Sequence, residues 1–108
     1  MPRIELLYWA GCPSYPEAET LVVDVLRAAG IAADLTLREV LTQAEAEELH
    51  FVGSPTILVD GRDVDPEGAA VGRPALNCRV YRAEDGRVSP VPSRAQIQRA
   101  LDAVGAPR

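Results

Sequence analysis

Residues 9–15 read Trp-Ala-Gly-Cys-Pro-Ser-Tyr and contain Cys12, one of only two cysteines in the chain of 108 residues. The apolar run 3–8 before this stretch predicts a strand covered on both faces. Ser14 and Glu17 have the Ser-x-x-Glu spacing of a capping box, which predicts the start of a helix. Because helix N-termini favour negative charge, the pattern predicts an exposed thiol held as thiolate. The alternative is a small apolar residue packed beneath a loop.

The composition is that of an ordinary globular protein, with 47% apolar and 25% charged residues, and it predicts one domain over residues 1–108. The chain has a net charge of −5 and a pI near 4.8, so its acidic surface would repel phosphate groups. Neither nucleic acid nor an anionic membrane is therefore an expected partner. No run has the length of a signal peptide or a membrane span. We therefore expect a cytoplasmic protein whose two cysteines serve redox or catalytic chemistry rather than cross-linking.

The chain alternates between strand and helix patterns. Capping-box pairs precede three apolar stripes at helical spacing, and an Asp-Gly turn separates two short strands. Residues 65–77 predict a loop, which in so small a domain is more often functional than idle. The predicted elements are strand Arg3–Tyr8, a helix from Ser14 to Ala29, strand Ala33–Val40, a helix from Thr42 to Leu49 or His50, strands Thr56–Val59 and Arg62–Val64, an exposed hairpin pairing 79–82 with 87–89, and a helix from Ser93 to Val104.

The resulting order, β-α-β-α-β-β-α, predicts an α/β fold. Its first β-α-β unit implies a parallel pair of strands joined by a right-handed crossover. We expect the strand before Cys12 to be central and the more polar second strand to be less buried. Residues 65–92 form a predicted insertion of loop and hairpin, and residues 106–108 a predicted flexible tail.

Two motifs resemble the thioredoxin superfamily over nearly the whole chain apart from residues 65–92. Residues 9–15 are similar to its Trp-Cys-x-x-Cys turn with Tyr15 in the second cysteine position, and Val-Gly-Ser-Pro-Thr at 52–56 is similar to its cis-proline segment. The pattern Glu-Leu-Leu-Tyr, Gly-Cys-Pro, Gly-Ser-Pro-Thr and Asn-Cys-Arg-Val-Tyr is similar to small bacterial thioredoxin-like proteins. Some of these carry selenocysteine at the position of Cys12, and some are described as alkylmercury lyases. The resemblance implies a βαβαββα sandwich with a mixed four-stranded sheet, helices on both faces and an inserted loop or hairpin before the last helix.

The resemblance also implies which segment faces Cys12. It implies a cis bond between Ser54 and Pro55 that faces the cysteine and leaves the preceding backbone free to pair with an extended substrate. Ser54, Pro55 and Thr56 are then expected to line the substrate-binding site.

Three other side chains each allow two interpretations. Trp9 either shields the site or packs in the core, and Tyr15 either donates its hydroxyl to a thiolate or ligand or packs. His50, the only histidine, fits a surface or interface residue better than a base. With three cysteine and histidine residues in all, no structural zinc site is expected, no metal is expected at rest, and the resemblance implies no cofactor.

The role of Cys78 depends on which segment forms the fourth strand. If residues 62–64 return along 56–59, the following loop can hold Cys78 near Cys12. If residues 79–82 form that strand instead, Cys78 starts it at the far end, beyond the Cα separation of about 7 Å that a disulfide allows. The Asp-Gly turn favours the first arrangement.

The leading hypothesis is a thiol–disulfide oxidoreductase in which Cys12 attacks and either Cys78 or a small thiol resolves. Its expected partners are a disulfide- or thiol-bearing protein or a small thiol. A second hypothesis is capture of Hg(II) or another soft metal between Cys12 and Cys78. Carbon–mercury cleavage also needs a proton donor, and Tyr15 stands where a carboxylic acid would serve. The third hypothesis is a non-catalytic thioredoxin-fold module.

Overall fold

The computed structural model describes residues 1–105, so the predicted flexible tail at 106–108 lies outside the described residues. The six strands and four helices follow the predicted order, with one additional helix. They are β1 (Arg3–Tyr8), α1 (Tyr15–Ala29), β2 (Asp34–Glu39), α2 (Gln43–Leu49), β3 (Thr56–Val59), β4 (Arg62–Asp63), α3 (Pro66–Val71), β5 (Tyr81–Arg82), β6 (Val88–Ser89) and α4 (Arg94–Ala103).

The main sheet has four strands in the order β2-β1-β3-β4. β1 runs parallel to β2 and antiparallel to β3, which in turn pairs antiparallel with β4. The sheet is therefore mixed, and β1 is internal as predicted. β2 lies at the edge and is mostly exposed, which explains its polar sequence. The turn between β3 and β4 has positive φ angles at both Asp60 and Gly61, as a tight hairpin requires.

Helices cover both faces of this sheet. Side chains alternate along β1, so they enter two apolar clusters, one on each face. Ile4 and Leu6 join the larger cluster, which also contains apolar residues of α1 and α4. Leu7 points to the opposite face, where Ala46 of α2 and Phe51 complete a smaller cluster. The fold is a mixed α/β arrangement in which β1 and the N-terminus of α1 meet at one end of the sheet.

Helices α1, α2 and α4 begin directly after Ser14, Thr42 and Ser93, where the capping-box spacings predict helix starts. Gly30 takes the left-handed conformation after α1, and Thr42 caps α2 through its side chain. Ser93 and Gln96 form a complete capping box on α4. The capping box predicted at Ser14 is wrong, because this residue has helical φ and ψ values and its side chain makes no cap hydrogen bond.

The 65–92 region is more ordered than the sequence analysis predicts. Asp65 caps a short helix, α3, through its side chain, whereas the composition of residues 65–77 had predicted a loop. β5 and β6 pair as the predicted hairpin. The prediction that this hairpin is exposed is wrong at Arg79 and Tyr81, which are 6% and 1% exposed. Within residues 1–105, no helix has the length and apolarity needed to cross a membrane.

Candidate thiol site

Cys12 lies between β1 and α1, at the end of a tight turn. Its backbone N–H donates to the carbonyl oxygen of Trp9 at 3.0 Å. A Cβ atom at Gly11 would clash with the Trp9 ring, so glycine lets the ring lie over this turn. The expectation of an exposed thiol is wrong: Cys12 is only 1% exposed. The fold therefore encloses the thiol beside the helix N-terminus instead of presenting it to solvent.

Ser54 covers Cys12 from the loop that leads into β3. The Ser54–Pro55 peptide bond is cis, as the sequence resemblance implied. The Cys12 thiol donates to the carbonyl oxygen of Ser54 at 3.4 Å. Ser54, Pro55 and Thr56 are all buried, so they do not line an open groove.

Cys78 lies beside the same loop, as in the first of the two predicted arrangements. Residues 77–79 form a parallel bridge with Ser54. The Ser54 N–H donates to the carbonyl oxygen of Asn77 at 2.8 Å, and the Arg79 N–H donates to the carbonyl oxygen of Ser54 at 2.8 Å. Both backbone groups of Ser54 are therefore engaged by the chain itself. The expectation that they are free to pair with an extended substrate is wrong.

The two thiols form one interacting pair in which Cys12 is buried and Cys78 is exposed. Burial alone raises the pKa of Cys12, but hydrogen bonds from the Ser14 backbone N–H and the Cys78 thiol, with smaller contributions from the Ser54 and Ser14 side chains, bring that pKa below its ordinary value. The pKa of Cys78 is raised, chiefly because its thiol is hydrogen-bonded to Cys12. Ionisation of the pair is therefore favoured at Cys12 rather than at Cys78.

The Ser54 hydroxyl is a second buried polar group near Cys12. Ser54 is 0% exposed, and within residues 1–105 its Oγ atom is the buried side-chain oxygen that lacks a hydrogen-bond partner. Interaction with the Ser54 side chain nevertheless lowers the pKa of Cys12. These facts agree if the hydroxyl finds its acceptor when Cys12 ionises, since a thiolate accepts hydrogen bonds better than a thiol does.

Arg79 anchors the segment that carries Cys78. Its guanidinium donates to both carboxylate oxygens of Asp63, each at 2.8 Å, and to the hydroxyl of Thr56 at 3.2 Å. It also lies over the ring of Tyr81, 4.4 Å from the centroid, and the Tyr81 hydroxyl donates to the carbonyl oxygen of Pro55. The Asp63 ion pair is strongly buried and has bidentate geometry, which makes it a rigid attachment rather than a surface contact.

The sequence analysis did not single out Arg79, Asp63 or Tyr81. The available signal was the alternation in Asn-Cys-Arg-Val-Tyr at 77–81, which puts Arg79 and Tyr81 on one side and Cys78 and Val80 on the other. The structure has this alternation, with Arg79 and Tyr81 buried and the other two exposed. Arginine is rarely buried unless it is paired, and no local pattern indicated that Asp63 would pair with it.

The other aromatic candidates take mainly packing positions. Trp9 packs against the smaller apolar cluster and over Gly11, and the Tyr15 ring stacks on Tyr8 with 4.1 Å between centroids. His50 ends α2 and its Nε2 atom is hydrogen-bonded to the carbonyl oxygen of Ala69. This contact joins the end of α2 to α3.

Among residues 1–105, no three side chains of the kinds that bind metals cluster together. Comparisons with protein-family models, with curated proteins and with solved structures find no match to this chain. The geometry of the thiol pair is therefore the principal basis for an argument about function.

Proposed function

We propose that this protein is a thioredoxin-like thiol–disulfide oxidoreductase that cycles between a Cys12, Cys78 dithiol and the corresponding disulfide. The observation that carries the proposal is that the only two cysteines, distant in sequence, both lie against Ser54, Cys12 through its thiol and Cys78 through a backbone bridge. A packing role for a free cysteine does not require a second cysteine beside it.

Three further features support this chemistry. The strand order β2-β1-β3-β4, with the thiol between β1 and α1, is compatible with the fold that the sequence resemblance implied. The lowered pKa of Cys12 favours a reactive thiolate over an inert module. Tyr15 occupies the position where the resemblance would place a resolving cysteine. Cys78, which lies beside the loop before β3, supplies the second thiol instead.

In the proposed cycle, a disulfide RSSR oxidises the dithiol. One protein sulfur forms a mixed disulfide and releases one RS group as a thiol, and the other protein sulfur then forms the Cys12–Cys78 bond and releases the second. Two electrons pass from the protein to RSSR, giving two RSH. A small thiol of the same class drives the reverse reaction. The backbone N–H and carbonyl oxygen of Ser54 are already hydrogen-bonded to residues 77–79. Partners that do not need to pair as an added strand, such as small thiols and disulfides, are therefore favoured.

The test is turnover of a small disulfide with a dithiol electron donor, measured for the wild-type protein and for Cys12→Ser and Cys78→Ser. We expect Cys12→Ser to lose turnover, and mass mapping of the mildly oxidised wild-type protein to find a peptide pair joined by Cys12 and Cys78. An unchanged rate in Cys12→Ser would contradict the proposal. Turnover retained in Cys78→Ser with a small thiol present would instead assign resolution to that thiol.

Adjacency of the two thiols also favours a second candidate, capture of a soft metal such as Hg(II), because two thiolates match the preference of soft cations for sulfur. Titration with Hg(II) should then give tight one-to-one binding that is weakened in each single variant. Equal binding by the Cys12→Ser/Cys78→Ser double variant would exclude capture at this site. Within residues 1–105, the groups that interact with the two thiols are hydroxyls, backbone groups and the thiols themselves, and no carboxylic acid is among them.

A further inference from the structure

The two sulfurs of the pair differ sharply in accessibility. Cys78 is exposed, whereas Cys12 is 1% exposed and lies against the fully buried Ser54. A reaction with any external sulfur must place that sulfur against one of the two. The choice decides which cysteine carries the mixed disulfide, and the two cysteines are not equivalent in this respect.

We infer that external thiols and disulfides exchange at the sulfur of Cys78, and that buried Cys12 is the internal partner that makes and breaks the intramolecular bond. This inference rests on the proposed redox cycle, but it reverses the roles that the sequence analysis assigned to the two cysteines. The external reactant is a low-molecular-weight thiol or its disulfide, because the backbone edge of Ser54 is already filled by residues 77–79.

The direction of approach is the first argument. In thiol–disulfide exchange the attacking sulfur approaches on the side of the attacked sulfur that is opposite the leaving sulfur. Attack on Cys78, with Cys12 leaving, therefore comes from the side of Cys78 away from the protein interior. Attack on Cys12, with Cys78 leaving, would have to come through the atoms that enclose Cys12, and a 1% exposed residue offers no such path.

The leaving group is the second argument. A thiol with a lower pKa leaves faster as thiolate. Interactions with the Ser14 N–H and with the Ser54 and Ser14 side chains lower the pKa of Cys12, and these groups are still present when Cys78 is bonded to another sulfur. Burial raises the pKa of Cys78. Departure of Cys12 is therefore favoured over departure of Cys78, in agreement with the geometry.

The reduction of the protein then has two balanced steps. A small thiolate RS⁻ attacks the Cys78 sulfur, the Cys12–Cys78 bond breaks, Cys12 leaves as thiolate, and a mixed disulfide between Cys78 and R forms. A second RS⁻ attacks the sulfur of the R group, releases RSSR and leaves the Cys78 thiolate, which takes a proton from water. Read backwards, the same steps reduce RSSR: the Cys78 thiol loses its proton to water and its sulfur attacks RSSR, releasing the first RS⁻. The Cys12 thiolate then attacks the Cys78 sulfur, forms the Cys12–Cys78 bond and releases the second RS⁻.

The decisive experiment uses the wild-type chain. The protein is mildly oxidised, treated with limiting glutathione, quenched with acid, alkylated and mapped by mass spectrometry. We expect glutathione on Cys78 and the alkyl group on Cys12. Glutathione found on Cys12 with alkylated Cys78 would overturn the inference while leaving the redox proposal intact. Failure to form any Cys12–Cys78 disulfide would contradict the redox proposal itself.

Single-cysteine variants give an independent reading that does not need the internal disulfide. Cys12→Ser leaves only Cys78 and Cys78→Ser leaves only Cys12, and each is reacted with glutathione disulfide and with a polymer-linked pyridyl disulfide. We expect Cys78 to react with the bulky reagent at least about tenfold faster than Cys12 does, because exchange depends on access to the sulfur. Equal rates with the bulky reagent in folded variants would contradict the inference.

Discussion

Ser54 and Thr56 form a natural pair for a mutational test, because both hydroxyls are buried but only one is satisfied. The Thr56 hydroxyl donates to the carbonyl oxygen of Gly53 at 2.7 Å and accepts from Arg79 at 3.2 Å. The Ser54 hydroxyl lacks such a partner within residues 1–105. Ser54→Ala and Thr56→Val each delete one hydroxyl with little other change in shape, so the structure predicts opposite effects on stability.

The magnitudes follow from the cost of burying polar groups. Burying an unpaired hydroxyl costs about 1–3 kcal/mol. We expect Ser54→Ala to raise the free energy of unfolding by about 1 kcal/mol, because the void left by the missing oxygen cancels part of this gain. Thr56→Val leaves the Gly53 carbonyl and an Arg79 N–H without this partner, and we expect it to lower the free energy of unfolding by about 1–3 kcal/mol.

The effect of Ser54→Ala depends on pH through Cys12. Because the folded-state pKa of Cys12 is lowered, ionisation of this thiol stabilises the fold at pH values above its ordinary pKa, and this contribution is lost as the pH falls through the folded-state pKa. Interaction with the Ser54 side chain lowers the pKa of Cys12. The stability advantage of Ser54→Ala is therefore largest where Cys12 is a thiol and shrinks as the pH rises and the thiolate forms.

Urea unfolding under reducing conditions, followed by the fluorescence of Trp9, the single tryptophan, measures both variants at a pH below and a pH above the Cys12 transition. The reasoning is refuted if Ser54→Ala is as destabilising as Thr56→Val at the lower pH. It is also refuted if the difference between Ser54→Ala and wild type does not change with pH.

Three further changes probe the attachment of Cys78 and its effect on Cys12. Arg79→Met should lower the free energy of unfolding in urea by about 3–5 kcal/mol, because it leaves the buried Asp63 carboxylate unpaired. Gly53→Ala should slow formation of the internal disulfide in a timed oxidation, because Gly53 has φ +137° and a Cβ atom there would lie 2.9 Å from the Cβ atom of Arg79. Cys78→Ala should raise the pKa of Cys12, seen in the ultraviolet absorbance of the thiolate, because it removes a hydrogen-bond donor.

Each of these changes has a matched control. Arg62, which precedes Asp63 in the chain, is exposed, so Arg62→Met should alter the free energy of unfolding by no more than about 0.5 kcal/mol. A similar loss in Arg79→Met and Arg62→Met would contradict the anchoring role of Arg79. Gly86 also has a positive φ but open surroundings, so Gly86→Ala should leave the rate of disulfide formation unchanged. Cys78→Ser keeps a hydroxyl donor and should raise the pKa of Cys12 less than Cys78→Ala. An equal rise would show that this hydrogen bond does not control Cys12.

Local signals in the sequence were sufficient for most of the fold. The apolar run of β1, the Asp60-Gly61 turn and the capping box at Ser93 act over a few residues, and the structure has each of them. At Ser14 the helix starts as predicted, but the side chain makes no cap hydrogen bond, and the residue interacts with the Cys12 thiol. The spacing therefore located the helix start without predicting which group the serine contacts.

The thiol site was less predictable because its contacts join distant parts of the chain. The position of Cys12 between a strand and a helix follows from sequence, but its burial depends on Ser54, and the engagement of Ser54 depends on residues 77–79. Composition gave no indication that these residues would form a parallel bridge with the loop before β3. Only the choice of β4 as the return strand, made from the Asp-Gly turn, indicated that Cys78 could approach Cys12.

The long separation of the two cysteines along the chain has a thermodynamic consequence. A bond between residues 12 and 78 would close a loop that contains α1, α2, α3 and three strands of the main sheet. Restricting the unfolded chain over a loop of that size contributes about 4 kcal/mol to stability, whereas a bond within a single turn restricts it much less. Oxidation would therefore convert this protein into a form that resists heat and proteases, so its lifetime in a cell would vary with the redox state of its surroundings.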